Sequence, residues 1–87
     1  MSYRIEWAKS AVRELKALPP DIAVRIGGSV GHLAEQPRPP ACKKLTGHND
    51  LWRLRIGKYR VIYFISDVIK LVRIEKVSDR KDAYRKR

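Results

Sequence analysis

The sequence predicts an α+β domain of β-α-α-β-β-β order, with a two-helix hairpin packed on one face of an antiparallel sheet. Three observations carry this. Residues 3–7, "YRIEW", alternate between apolar and charged positions. Apolar residues between 8 and 35 recur at helical spacing in two blocks split by Pro19 and Pro20. Three alternating runs fill 51–77, separated by short turn signals. At 87 residues the chain is expected to be one domain, 1–87. A domain of that size buries only about 60% of its unfolded surface, so its core is modest.

The first strand, 3–7, places Tyr3, Ile5 and Trp7 on one face and Arg4 and Glu6 on the other. In the first helix, 8–18, Ala8, Ala11, Val12, Leu15 and Leu18 form the stripe between charged positions. It stops at the proline pair. Pro20 suits the first turn of a second helix, 20–35, and Asp21 suits its positive end. Ile22, Ile26, Val30, Leu33 and Ala34 form that helix's stripe. Gly27, Gly28 and Gly31 each cost roughly 1 kcal/mol relative to Ala, which points to close helix packing. "GGSVG" lacks the Gly-Lys-Ser/Thr ending and the preceding strand of a phosphate-cradling loop. "QPRPP" ends the helix in a stiff connector that carries Cys42, "KKL" is a short extended piece, and "TGHND" is a loop.

The meander follows as "LWRLRI", a Gly57-Lys58 turn of the II′ type, "YRVIYFI", a Ser66-Asp67 turn and "VIKLVRIEKV". A two-residue turn at Gly57-Lys58 pairs Ile56 with Tyr59 and Arg55 with Arg60. The period of two then turns Trp52, Leu54, Ile56, Tyr59, Val61 and Tyr63 to the core and Arg53, Arg55 and Arg60 to the opposite face. An equally tight second turn sets Arg73 beside Arg60, and a turn one residue longer would flip it away. The last segment, 78–87, is a basic polar tail.

Twenty Lys and Arg against nine Asp and Glu give a net charge of +11, and the pI is near 10.3. A domain pI above ~9 is the footprint of a nucleic-acid binder. Opposed like charges destabilise a sheet by up to ~1 kcal/mol. A face gathering arginines with few counter-charges therefore reads as an anion site, most simply for a phosphate backbone. Lys43, Lys44, Lys58, Lys81 and Arg85 join Arg53, Arg55 and Arg73 as candidate nucleic-acid contacts. A lone cysteine allows no intramolecular disulfide, and with no signal-like N-terminus or membrane-length apolar run the expected setting is the cytoplasm, without membrane contact. No metal-ligand spacing is present and no cofactor is expected.

Two chemistries suit such a face: binding alone, or cleavage of RNA, whose 2′-hydroxyl is its own nucleophile. Cleavage needs the developing charge on phosphorus stabilised and a base within reach. His32 sits beside the second helix's apolar stripe and reads as a partly buried structural residue. His48 lies in the loop and reads as a turn residue. Tyr84, in "RKDAYRKR", stands among cations that could lower its pKa or let it stack on an unpaired base.

In that order, "EQPRPPACKKLTG", "LWRLRIGKYRVIY" and "VSDRKDAYR" resemble the connector, central hairpin and C-terminal segment of the RelE/ParE toxin superfamily, across essentially the whole chain. The resemblance implies a RelE-like, microbial-ribonuclease-type fold. In the RelE branch it implies a toxin that enters the ribosomal A site, against 16S rRNA, and cuts mRNA to a 2′,3′-cyclic phosphate. It further implies a cognate antitoxin, expected to be acidic, and operator DNA bound only through the toxin–antitoxin complex. Arg60 in "GKYR" matches the arginine that stabilises the transition state, Arg80 in "SDRKD" the one that assists the leaving group, and Tyr84 the tyrosine that stacks on or activates the nucleotide. Arg53 and Arg55 fall where the best-studied pattern has lysines. Arginine does not deprotonate in proteins, so neither can be the general base. The alternative is a ParE-like toxin that poisons DNA gyrase and is no nuclease.

Overall fold

The computed structural model describes residues 2–45, 47 and 50–79. The elements run β1 (Arg4–Trp7), α1 (Lys9–Lys16), α2 (Pro20–His32), β2 (Cys42–Lys44), β3 (Leu51–Ile56), β4 (Tyr59–Ser66) and β5 (Leu71–Asp79). They form one five-stranded sheet in the order β1-β5-β4-β3-β2. The α+β class and the helical hairpin are as expected, with two differences. The sheet is mixed, because β1 lies parallel to β5, and Cys42–Lys44 adds a fourth strand after the helices by pairing with β3.

One face of the sheet carries the core. Leu54, Ile56, Tyr59, Val61, Tyr63, Ile65, Val72, Ile74 and Val77 are all buried there, against Ala11 of α1 and Ile26, Val30 and Leu33 of the second helical segment. Tyr3, Ile5 and Trp7 pack at its margin. Tyr63, at 0% exposure, donates its hydroxyl to the Pro37 carbonyl at 2.8 Å. Burial therefore holds its phenol well above the ordinary range. This bond tacks the proline-rich connector onto the sheet.

The start of α2 follows local rules. Pro20 stands in the first turn of α2 with Asp21 beside it. That helix ends at His32, three residues earlier than the spacing suggested. The glycines of α2 do not serve close packing: a Cβ built on Gly27, Gly28 or Gly31 meets no described atom within 4 Å. His32 is exposed rather than partly buried.

The Gly57-Lys58 turn is as expected. Gly57 takes φ 61°, a conformation open to glycine at little steric cost, and Ile56 pairs with Tyr59 and Arg55 with Arg60. The second turn is longer than expected. Residues 67–70 form a four-residue loop and Ser66 pairs with Leu71. Val68 and Ile69, expected in the last strand, are 92% and 63% exposed on this loop. Two added residues preserve the parity of β5, so Arg73 keeps its face. They slide it along the ladder, so it opposes Phe64 rather than Arg60. Four residues of strand put those positions about 13 Å apart.

A bulge completes β5. Ile74 opposes Tyr63, but Lys76 opposes Ile62, leaving Glu75 as the extra residue. Strict alternation would turn Lys76 inward with Val72 and Ile74. The bulge switches parity, so Lys76 is exposed and Val77 is 3% exposed in the core. β1 pairs with β5 only as far as Ile74. Beyond it, Glu14 of α1 accepts a hydrogen bond from the Val77 N–H at 2.8 Å and its other oxygen takes one from Lys76 at 3.3 Å, covering an edge that β1 leaves open.

Candidate nucleic-acid interface

The outer face of the sheet is built in cross-strand rows. Arg55 opposes Arg60, and Arg60 opposes Ser78. One row along, Lys43 opposes Arg53 and Arg53 opposes Ile62, which in turn opposes Lys76. Directly opposed side chains lie ~5 Å apart at Cβ, so these rows hold five cations within two rungs of the sheet, and Lys76 among them is paired with Glu14. The alternation of β3 and β4 creates this platform, because every position that buries a core residue forces its neighbour outward. Arg53 and Arg60 are half-buried; Lys43 and Arg55 are exposed.

The charge balance differs along the sheet. Among the described residues no carboxylate stands within ion-pair distance of Lys43, Arg53 or Arg55. These three, with Pro40, Ala41 and Gly57, line an open concavity of about 380 Å³. Arginine there can hold a phosphate with paired N–H donors. Arg73 is placed otherwise. It lies 3.9 Å from Glu6, 3.7 Å from Glu75, and its guanidinium sits 5.7 Å from the Phe64 ring centre.

The remaining expected contacts divide. Lys58 is exposed at the turn, 5.9 Å from the Tyr59 ring centre. Lys44 opposes Trp52 and not Arg53, so its parity is that of the core face and it stands off the arginine platform. Arg80, Lys81, Tyr84 and Arg85 lie outside the described residues, as does His48. The structure thus brings together Lys43, Arg53, Arg55 and Arg60 and separates Arg73 from them. Sequence reading passed over Arg25. Its guanidinium approaches Gly57, whose built Cβ would lie 3.7 Å from the Arg25 Nη1. The available signal was a polar series, Arg25, Ser29, His32 and Gln36, at helical spacing.

Sequence and structure comparisons agree on what this architecture is. The family described as the ParE toxin of type II toxin-antitoxin systems, parDE, matches residues 5–84. The chain belongs to the RelE/ParE toxin superfamily. A Methanocaldococcus jannaschii protein bearing the toxin name RelE1 is 32% identical over 88 residues, covering 98% of each chain. The RelE–RelB complex from Pyrococcus horikoshii contains a chain that superposes with a TM-score of 0.82 at 34% identity, covering 92% of this chain and 97% of that one. The RelBE2 toxin–antitoxin complex of Mycobacterium tuberculosis gives a TM-score of 0.82 at 29% identity, covering 92% and 100%. The five-stranded mixed sheet and the two helices match the RelE toxin structures. No helix among the described residues is long and apolar enough to cross a membrane.

Proposed function

We propose that this chain is a ribosome-dependent endoribonuclease, the toxin of a RelBE-type pair, that cuts mRNA in the A site. The observation that carries the reading is the row Lys43–Arg53 beside the row Arg55–Arg60, where no described carboxylate lies within ion-pair distance of Lys43, Arg53 or Arg55. In the reaction the substrate 2′-oxygen attacks the adjacent phosphorus, the bond from phosphorus to the 5′-oxygen breaks, and a 2′,3′-cyclic phosphate and a 5′-hydroxyl result. Arg53, Arg55 and Lys43 hold the backbone. Arg60, fixed at the centre of the sheet, stabilises the charge that builds on the non-bridging oxygens. Arg80 assists the leaving oxygen, and Tyr84 stacks on the nucleotide or accepts the 2′-hydroxyl proton. Two arginines where lysines could stand leave the proton to Tyr84 or to groups of the ribosome, because a guanidinium cannot accept it.

The same charge supports an acidic, RelB-like antitoxin as the neutralising partner, since an acidic chain complements a +11 domain. The relative from Pyrococcus horikoshii is in a RelE–RelB complex and the one from Mycobacterium tuberculosis in a toxin–antitoxin complex. Operator DNA would be met through that complex, in the cytoplasm where ribosomes are. The test is cleavage of a defined mRNA on programmed ribosomes by wild type and Arg60→Ala, with the product end analysed. A cyclic phosphate from wild type and a deep loss in the variant are expected. No cleavage by wild type, or full activity in the variant, overturns the reading. The ParE name of the matching family favours a second reading, inhibition of DNA gyrase. Loss of gyrase supercoiling on addition of the protein, without mRNA cleavage, would establish that instead.

A further inference from the structure

A second groove lies around the edge of the sheet from the platform. It has a volume of about 350 Å³ between α2 and β3, and Arg25, Ser29, His32, Gln36, Arg55 and Gly57 are among the residues lining it. Three observations show what it can hold. First, Arg25, Ser29, His32 and Gln36 recur at intervals of four, three and four residues, so α2 supplies the first three to the polar wall and the chain just beyond it supplies Gln36. Among the described residues, none of these four side chains makes a hydrogen bond or ion pair with the protein. They are donors held ready and unused. Second, the rest of the lining is largely apolar, with Leu54, Ile56, Ala41 and Pro39 among it. Third, among the described residues no Asp or Glu lines this groove or the platform concavity, and the two share Ala41, Arg55 and Gly57. The cationic surface therefore runs without a break from Lys43 and Arg53, past Arg55, to Arg25.

We propose that the α2–β3 groove is a subsite for single-stranded RNA, holding a nucleotide that flanks the one on the platform, with Arg25 and Arg55 on its phosphate. An unpaired base has an apolar face for the Leu54 and Ile56 lining and polar edges for Ser29, His32 and Gln36. Its phosphate meets guanidinium groups from two elements, and the continuity through Arg55 gives the strand a path from one concavity to the next. The lack of carboxylates along that path is what a polyanion requires. The inference rests on the endoribonuclease reading for its biological setting, but the groove can be tested independently of cleavage.

The full chain is titrated with a fluorescein-labelled 12-nucleotide oligouridylate at several salt concentrations, as wild type, Arg25→Ala and Arg25→Lys. The subsite predicts that Arg25→Ala weakens binding by roughly fivefold or more and lowers the salt slope by about 0.7, the loss of one single-strand phosphate contact, while Arg25→Lys keeps most of the slope. On programmed ribosomes, Arg25→Ala is expected to raise KM by a similar factor with kcat within about twofold. Unchanged affinity and slope in Arg25→Ala overturn the subsite, as does a variant impaired only in binding an acidic antitoxin. If wild type does not cut mRNA, the endoribonuclease reading falls, and the oligonucleotide titration still decides the groove. Arg25 is exposed, so the variants should melt at the wild-type temperature; one that does not is replaced by His32→Ala, with a weakened affinity again expected and an unchanged one again fatal.

Discussion

The two ends of the sheet both carry arginines and treat them differently. At the end near the 67–70 loop the cations are paired. Arg38 makes two hydrogen bonds to Asp67, at 3.2 and 2.9 Å, and Tyr3 donates its hydroxyl to the same carboxylate at 2.6 Å. The Arg38 guanidinium also lies 5.0 Å from the Trp52 ring centre, and Arg73 sits between Glu6 and Glu75. At the Gly57 end Lys43, Arg53 and Arg55 meet no described carboxylate. The first arrangement ties the connector to the loop. The second leaves donors for an anion brought from outside. Net charge alone does not separate these roles; the local balance does.

The comparison makes its largest prediction at Arg60. Arg60→Ala should lower kcat for mRNA cleavage about 10²- to 10³-fold, the scale of removing one donor to a developing oxyanion. Single-turnover cleavage on ribosomes reads this directly, and a loss below tenfold would place the chemistry elsewhere.

Binding should split along the same line. Replacing Arg53 and Arg55 together by Ala removes about two single-strand phosphate contacts, which lowers the salt slope of RNA binding by about 1.4. Arg73→Ala should lower it by less than half as much, because its guanidinium is already occupied by two carboxylates. Equal effects would break the distinction between the ends.

The Gly57 end can also be converted into its opposite. Ile62 stands across from Arg53 on the outer face, so Ile62→Glu supplies the missing carboxylate. Thermal stability is expected to change by no more than about 1 kcal/mol, the range of a cross-strand charge pair. RNA affinity should fall while the protein stays folded, as measured by anisotropy and circular dichroism together.

The smallest effect concerns acid stability. The Arg38 and Tyr3 hydrogen bonds hold the Asp67 carboxyl below its usual pKa, and the Tyr3 phenol is raised by the same contact. A carboxyl with a depressed folded pKa stabilises the fold above its unfolded value, ~3.9, and loses that contribution as pH falls through the folded value. The melting temperature of wild type should therefore decline more steeply than that of Asp67→Asn below pH ~4, with parallel curves between pH 5 and 7.

Much of the fold is written in short-range pattern. Alternation along 51–65 sorted core from charge, and glycine at 57 set the hairpin register, because side-chain direction repeats every two residues and a two-residue turn leaves no slack. Pro19 and Pro20 placed the helix break for an equally local reason. Other features depended on partners far along the chain. The length of the 67–70 loop moved Arg73 from Arg60 to Phe64. The bulge at Glu75 turned Lys76 out and Val77 in; the adjacent charges Glu75 and Lys76 break the alternation there, but the strand pairing fixes which residue is extra. Neither the parallel pairing of β1 with β5 nor the neutralisation of Arg73 by Glu6, 67 positions away, can be read from adjacent residues. Local periodicity says which way a side chain points. Which charges then stand together is decided when distant strands choose their register, since Coulomb pairing acts over a few ångströms of space and is blind to distance along the sequence.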